Sequence, residues 1–373
     1  MRAAVIGGGA IGLASALVLE QAGWEVAVYD PQGFDLAEPS DEIGARVWAL
    51  GPKAQSLLER LSAWRADTRL CPYQTMRVID FTSDAEVCFT DRDLGVLVEA
   101  DWVRKRLLDR LAVSKIVTHS EPVTQVTPEG EVWAGDTRLL QADLVVLAEG
   151  RAARIAVASG FERIDGGHHQ KAVVGTLAAT LPHEGEAFQV FTPEGPLALL
   201  PLPSQGEGNR VSLVWSVTSE VASALEPLSA EALARRITLR SEWVRGDLSF
   251  VADPDWIPLS QHRLAQDARG CVVAMGDTAH GILPLAGLGA NLGFADVRAL
   301  ESVLATGVQD GDRIARTIER ERRLDHRAVS VAMGLFSDGF RDNRPWARLT
   351  RSALLRTANA HPSLRRMFQE LAG

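Results

Sequence analysis

Three glycines near the beginning of the chain, followed by an acid, have the types and spacing of a nucleotide-binding turn. Gly7, Gly9 and Gly12 fit G-x-G-x-x-G, and Asp30 comes about twenty residues later. Glycine permits the tight turn, the approach of backbone to a pyrophosphate, and close helix–strand packing. The following helix would offer free N–H groups to phosphates, and Asp30 would accept hydrogen bonds from a ribose. This pattern predicts dinucleotide binding; the alternative is a glycine-rich turn without a ligand.

A second glycine-rich stretch lies far along the chain. Gly276-Asp277 follows an apolar run, and residues 284–291 lead into a helix with an apolar face. An aspartate at a strand end can bind a ribityl hydroxyl. N–H groups at a helix N-terminus can stabilise the flavin edge where charge collects on reduction. Two separated loops of this kind favour FAD, because FAD is long enough to touch both.

The elements that must position these loops alternate between strand and helix. Apolar runs at residues 3–6 and 25–29 predict two buried strands around the first helix, and similar runs recur at 142–148 and 271–275. Between residues 166 and 258 short β-type runs alternate with glycine and proline turns. The sequence therefore predicts an α/β protein with a Rossmann-type domain, an inserted β-sheet substrate domain and a helical C-terminal tail.

These patterns divide the chain into three predicted parts. The FAD-binding domain would be discontinuous, with residues 1–70, 97–165 and 259–311. The β-rich substrate domain would contain residues 71–96 and 166–258, and the helical C-terminal segment would be 312–373.

Composition restricts the class of protein further. The chain has 373 residues, is 46% hydrophobic and carries a formal charge of −9, which argues against a general nucleic-acid binder. Its three cysteines are far apart and form no CxxC, so we expect neither a disulfide framework nor a metal site. No run of about 18 apolar residues and no signal peptide is recognisable. A cytoplasmic location is expected, either free or at the inner-membrane surface.

The C-terminal tail has the opposite charge. Residues 313–373 contain 13 arginines and 6 acids, and apolar side chains are interleaved with them: Phe336, Phe340, Trp346, Leu349, Leu354, Met367 and Phe368. One hypothesis is that this tail contacts an anionic membrane surface or a partner protein, and so helps a lipid-linked substrate reach its pocket. The alternative is a helical cap on the acidic domain with solvated arginines.

The motif Gly276-Asp277-x-x-His280-x-x-x-Pro284, together with the first glycine turn, resembles the FAD-dependent aromatic hydroxylases, or group A flavin monooxygenases. Their fold is of the glutathione-reductase-like and p-hydroxybenzoate-hydroxylase-like type. Weaker collinear stretches resemble the ubiquinone-biosynthesis branch: residues 46–50, 94–99, 195–202, 212–215 and 286–293. The resemblance runs from end to end, including the tail.

The resemblance implies both a reaction and a set of contacts. Reduced FAD and O₂ would form a flavin C4a-hydroperoxide, which a phenol ring, here lipid-linked, attacks; NAD(P)H would be the electron donor. The implied FAD contacts are Gly7, Gly9, Ala10, Ile11, Gly12, Asp30, Arg46, Arg104, Asp277, Pro284, Gly287, Leu288, Gly289, Ala290 and Asn291. An arginine at 46 or 104 could grip a pyrophosphate with two donors; the alternative is a surface ion pair.

Substrate and catalytic residues are less defined. Apolar residues of the β-rich part would line a pocket facing the flavin, or be ordinary core: Leu197, Leu199, Leu200, Val214 and Trp215. No catalytic side chain is assigned. His280 is the nearest candidate acid or base, and its alternative is a hydrogen-bonding role in the turn.

Several positions depart from the family pattern. Glu149-Gly150 stands where the family has Asp-Gly, and Ala153 and Ala156 replace a serine and an arginine of the same motif, which in the family helps to hold the reduced nicotinamide. Leu288 replaces a glutamine. Two alternatives therefore stay open: a non-catalytic flavoprotein subunit of a quinone-making complex, and a flavin hydroxylase of a soluble aromatic.

Overall fold

The computed structural model describes residues 1–38, 40, 42–83, 85–166, 170–205, 208–282 and 288–341, with backbone alone at 205, 288 and 328–341. The α-helices in these residues are α1 (Ala10–Gln21), α2 (Pro52–Arg60), α3 (Ala100–Ala112), α4 (Arg154–Ala158), α5 (Ser219–Leu225), α6 (Ala230–Arg240), α7 (Leu288–Ala305) and α8 (Gly311–Arg341). None of these helices is long and apolar enough to cross a membrane.

The strands are short near the N-terminus and longer in the middle of the chain. They are β1 (Arg2–Ile6), β2 (Glu25–Tyr29), β3 (Val47–Leu50), β4 (Cys71–Asp80), β5 (Ala85–Glu99), β6 (Val117–His119), β7 (Gln125–Val126), β8 (Glu131–Ala134), β9 (Thr137–Gln141), β10 (Leu144–Leu147), β11 (Arg163–Asp165), β12 (Gln170–Ala179), β13 (Glu186–Thr192), β14 (Gly195–Gln205), β15 (Gly208–Thr218), β16 (Leu248–Phe250), β17 (Asp255–Leu259), β18 (His262–Leu264), β19 (Ala268–Arg269), β20 (Val272–Ala274) and β21 (His280–Gly281).

A six-stranded sheet carries the glycine turn. Its order is β19-β20-β10-β1-β2-β6, and all neighbours pair in parallel except β19 with β20. The apolar runs at residues 3–6, 25–29, 142–148 and 271–275 fall on β1, β2, β10 and β20, as predicted. Parallel strands have both faces covered, which explains why these runs are apolar without alternation. The helix α1 is buried along most of its length because α3 and α7 pack on the side away from the sheet.

A nine-stranded sheet makes the β-rich part. Its path is β16-β12-β15-β14-β13-β4-β5-β3, with β17 also pairing with β12. The strand β14 contains three prolines, yet β13 and β15 hydrogen-bond to it on both sides. The strand β3 lies within the part predicted to bind FAD but joins this sheet through β5. The domain boundaries given above remain a prediction.

The helix α8 forms the beginning of the predicted helical tail. Its first turns bury Ile314, Ala315 and Ile318 in the core shared with α7 and the six-stranded sheet. Residues 342–373 lie outside the described residues, as do the side chains of Phe336 and Phe340. The described part of α8 is therefore a packed element of the fold.

Candidate active site

The glycine turn between β1 and α1 has room for a ligand in front of Gly9. Gly7 has a φ of 116°, and a Cβ atom on it would lie 2.2 Å from the carbonyl oxygen of Ala148. A Cβ atom on Gly12 would lie 1.9 Å from the carbonyl oxygen of Gly7. At Gly9, a Cβ atom would meet no other part of the described chain within 4 Å. Packing therefore requires Gly7 and Gly12, whereas Gly9 faces open space.

Asp30 and the first turn of α1 flank this open space. Asp30 accepts hydrogen bonds from the N–H groups of Gly8 at 2.6 Å and Gln32 at 2.8 Å. Each carboxylate oxygen keeps a further lone pair, which a ribose hydroxyl could use. The N-cap of α1, Gly9, has no side chain, so the first N–H groups of the helix, beginning at Ala10, lack a partner within it. Such groups suit phosphate oxygens.

The two predicted arginines differ in their contacts. Arg104, on α3, donates from Nε to the carbonyl oxygen of Gly8 at 2.9 Å and from Nη2 to that of Gly33 at 3.0 Å. The side chain of Arg46 is exposed and has no ion-pair partner among the described residues. Its carbonyl oxygen accepts from the N–H of Ala100 at the start of α3. Arg104 therefore braces the glycine turn, whereas the Arg46 guanidinium lies over the Trp48 ring, 5.7 Å from its centroid.

The second glycine-rich segment meets the first at Ile11. A Cβ atom on Gly276 would lie 3.2 Å from the Ile11 side chain, and one on Gly293 would lie 2.8 Å from it. Asp277 follows Gly276 in a 3₁₀ turn, and a Cβ atom on Gly289 would lie 3.9 Å from the Asp277 carboxylate. The structure thus brings Gly276, Asp277 and the start of α7, the described part of the second segment, close to the first glycine turn.

The first turn of α7 is held by a side-chain amide. Asn291 accepts from the N–H of Gly51 at 3.0 Å and donates to the carbonyl oxygen of Ala49 at 2.8 Å. Its side chain therefore joins α7 to the end of β3, and the backbones of Leu288 and Ala290 share that anchored turn. Two predicted contacts in the preceding loop lie outside the described residues: Pro284 and Gly287.

The Glu149 carboxylate caps a short helix. It accepts hydrogen bonds from the N–H groups of Ile155 at 2.9 Å and Ala156 at 2.8 Å, at the beginning of α4. Burial raises the pKa of Glu149, and these backbone donors oppose that shift. Ala153, the N-cap, has a left-handed φ of 47° and no side-chain oxygen, so Glu149 supplies the acceptor that a serine there could have provided.

Arg151 is a site residue that the sequence analysis missed. Its guanidinium donates to the carbonyl oxygens of Ser260 at 3.0 Å and Ile282 at 2.9 Å, and lies 3.5 Å from the Asp277 carboxylate. The available signal was its position directly after Gly150, because the carboxyl end of a buried parallel strand is where ligand sites form. Arg151 places a positive charge beside Asp277.

His280 lies in a buried polar cluster. Its Nε2 is 2.8 Å from Oδ2 of Asp296, and Asp296 also contacts Arg322 and His326. Burial opposes the charge of Asp296, but His326 and His280 outweigh it and hold the pKa of Asp296 well below its usual range. Burial likewise opposes the charged form of His326, yet Asp296 raises the pKa of His326 to about 9. The hydrogen-bonding role expected as the alternative for His280 matches this contact.

The five apolar residues predicted for the pocket divide between two faces of the sheet. Leu197, Leu199 and Trp215 pack with α5 and α6 in one core, which matches the alternative that they are ordinary core. Side chains alternate along a strand, which places Leu200 and Val214 on the opposite face. That face packs against residues 43–49, the segment that Asn291 ties to α7.

Solved structures of FAD-dependent monooxygenases share this fold. The crystal structure of PqsL, a probable FAD-dependent monooxygenase from Pseudomonas aeruginosa, matches with a TM-score of 0.73 at 20% identity. It covers 96% of this chain and 99% of that one. Klebsiella pneumoniae HpxO complexed with FAD and uric acid matches with a TM-score of 0.72 at 17% identity, covering 100% and 96%. At such identities the likeness establishes the fold.

The chain belongs to the family described as FAD binding domain, whose model matches residues 102–331. Among curated relatives, 3-demethoxyubiquinol 3-hydroxylase of Escherichia coli (strain K12) is 28% identical and covers 99% of this chain and 97% of its own length. The mitochondrial ubiquinone biosynthesis monooxygenase COQ6 of Xenopus tropicalis is also 28% identical, covering 86% and 81%. FAD is therefore the cofactor, and the protein is an oxidoreductase.

Proposed function

We propose that this protein hydroxylates the phenol ring of a prenylated precursor in ubiquinone biosynthesis, using bound FAD. The observation that carries the proposal is the meeting of the two glycine-rich loops at Ile11, beside the open space at Gly9. FAD fits that arrangement, because its pyrophosphate joins an adenosine at one end to a ribityl chain and a flavin ring at the other. The names of the two curated relatives support a ubiquinone precursor as the substrate.

The proposed cofactor contacts follow the geometry of the two loops. The glycine turn, Asp30 and the N-terminus of α1 would hold the adenosine and the pyrophosphate, with Arg104 bracing the turn and Arg46 free to approach a phosphate. Asp277 would bind the ribityl chain, and the N-terminus of α7 would face the flavin ring.

The chemistry of oxygen transfer comes from the cofactor, and the protein supplies the surroundings. When bound and reduced by NAD(P)H, FAD would supply the activation of O₂, with one oxygen atom entering the ring and the other leaving as water. The sheet face that carries Ala198, Leu200 and Val214 would hold the ring and exclude water. The N–H groups at the start of α7 would stabilise negative charge on the flavin.

We extend the proposal to the arginine-rich tail. With 13 arginines and 6 acids among residues 313–373, this segment would contact an anionic membrane that holds the lipid-linked substrate. We expect the full-length protein to float with vesicles that contain anionic lipid, and not with neutral vesicles. Equal recovery with both vesicle types would contradict the membrane contact.

The direct test combines spectroscopy with genetics. Purified protein should be yellow, its flavin should bleach with NAD(P)H, and a phenol should stimulate O₂ uptake. Aerobic cells without the gene should accumulate a prenylated precursor that lacks one hydroxyl group, as measured by mass spectrometry.

A colourless protein that takes up no added FAD would contradict the proposal. A stable flavoprotein without turnover would favour a non-catalytic subunit of a quinone-making complex. Turnover of soluble phenols alone would favour a flavin hydroxylase of a soluble aromatic.

The variant Val214→Phe tests where the ring binds. Val214 is only half-buried on the sheet face toward residues 43–49, so a larger side chain should occupy the space proposed for the ring. We expect kcat/KM for the phenol to fall at least about tenfold with the FAD dissociation constant nearly unchanged. Val113→Phe is the matched control because Val113 is 77% exposed. Equal kcat/KM in the two variants would show that the phenol ring binds elsewhere.

A further inference from the structure

A single buried carboxylate connects α8 to the turn that carries Asp277. Asp296, on α7, is 1% exposed. Its Oδ2 accepts from the N–H of Gly276 at 2.9 Å and lies 2.8 Å from Nε2 of His280. Its Oδ1 lies 2.8 Å from Nε of Arg322 and 2.8 Å from Nε2 of His326, both on α8. Thus Oδ2 faces the turn that carries Asp277, and Oδ1 faces α8.

The partners of Asp296 on α8 are themselves fixed. His326 directs Nδ1 to the carboxylate of Asp267 at 3.0 Å, and Arg322 also pairs with Asp325. Glu319, one turn earlier on α8, accepts from the N–H of Asp267 at 3.0 Å. The titratable and charged groups around Asp296 therefore come from β21, from the segment between β18 and β19, and from α8. Arginines 263, 323 and 327 line a small cavity beside the cluster.

Hydrogen bonds and ion pairs explain this cluster better than a metal site does. His280, Asp296 and His326 offer ligand atoms within 4.8 Å of one another. However, the guanidinium of Arg322 occupies the same oxygen of Asp296 that His326 contacts. A fixed positive charge at that distance would repel a cation, and the four donors already satisfy the carboxylate.

We propose that Asp296 is a positioning residue for the flavin site, and that Arg322 of α8 sets the Gly276–Thr278 turn through it. Gly276 has a φ of 58°, a left-handed conformation, and its N–H bond to Asp296 holds that conformation. Asp277, the next residue, then projects beside Gly289. The inference rests on the proposed position of the cofactor at Asp277. On this proposal α8 affects the flavin site through Asp296 and does not itself contact the flavin.

The experiment compares two arginine variants of the full-length protein. Arg322→Gln removes the charge that faces Asp296, and Arg320→Gln removes an exposed charge from the same helix. Apoprotein is prepared, and the FAD dissociation constant is measured by fluorescence quenching, well below the unfolding midpoint of each apoprotein. We expect Arg322→Gln to raise the dissociation constant about tenfold. Arg320→Gln should match the wild type, and Arg322→Lys should recover part of the loss.

The outcomes separate the inference from the proposed function. Wild-type protein that binds no FAD would contradict the proposed function. Wild-type binding with the same dissociation constant in Arg322→Gln and Arg320→Gln would overturn the inference alone, even where Arg322→Gln lowers the unfolding midpoint. If Arg322→Gln does not fold, His326→Gln provides the same comparison, with an expected increase of about threefold because one hydrogen bond can be retained.

Discussion

Replacing Gly9 with alanine is expected to raise the FAD dissociation constant at least about a hundredfold while the apoprotein stays folded. A Cβ atom at Gly9 would touch nothing else in the described chain within 4 Å, and its φ of −76° suits alanine. The added methyl group would instead occupy the space through which a pyrophosphate approaches the backbone. FAD fluorescence titration measures the affinity, and thermal unfolding of the apoprotein measures the fold.

Gly12→Ala is the matched control for this prediction. Its Cβ atom would lie 1.9 Å from the carbonyl oxygen of Gly7, which is backbone and has no rotamer to adopt. We expect this variant to lose about 3 kcal/mol or more of unfolding free energy, or to fail to fold. The same methyl group thus affects binding at one glycine and folding at the other. Wild-type FAD affinity in Gly9→Ala would show that the phosphates bind elsewhere.

The glycine turn was predictable because its information is local. Strand, turn and helix are contiguous in the chain, and the positive φ of Gly7 and the close contact between Gly12 and the carbonyl oxygen of Gly7 restrict both residue types. The buried parallel strands were equally visible as unbroken apolar runs, because both of their faces are covered.

The β-rich part was less predictable because both faces of its sheet are apolar. An alternating strand shows which residues share a face, but not which neighbour covers that face. Leu199 and Leu200 have the same chemistry, yet one faces α5 and α6 while the other faces residues 43–49. Only the packing of helices on one side decides this, and helix placement is a tertiary property.

The Asp296 cluster could not be read from the sequence at all. His326 and Arg322 lie four residues apart on a helix with many charges, a pattern typical of a solvated face. Their partner is about thirty residues away on α7, and nothing in the local sequence marks Asp296 as buried. The side-chain amide of Asn291 is similar, because it joins segments that are 240 residues apart.

The stability of the protein is expected to fall as His326 loses its proton. Both ring nitrogens of His326 face carboxylates, Asp267 at 3.0 Å and Asp296 at 2.8 Å, and only the imidazolium can donate to both. Burial opposes this charge, but the attraction of Asp296 raises the pKa of His326 to about 9, from an ordinary value of 6.5. The charged ring is therefore part of the folded state at neutral pH.

The sign of the pH dependence follows from the raised pKa. A group that binds its proton more tightly in the folded state stabilises the fold fully below the unfolded pKa, here 6.5, and loses that contribution as pH rises through about 9. This difference in pKa corresponds to about 3 kcal/mol of unfolding free energy. We expect the unfolding free energies of wild-type protein and His326→Gln, measured by urea unfolding between about pH 6 and 9.5, to differ by an amount that decreases as the pH rises.

His183→Gln provides the control for this titration. Burial lowers the pKa of His183 from its ordinary value of 6.5, and its ring contacts the carbonyl oxygen of Leu202. Well above pH 6.5 the ring is uncharged in both the folded and the unfolded chain, so His183→Gln should change the unfolding free energy there by an amount that does not vary with pH. If the curves of wild type and His326→Gln also run parallel, His326 is neutral in the fold. Asp296 would then keep one charged partner on α8, Arg322, so that one charge instead of two would hold α8 to the Gly276–Thr278 turn.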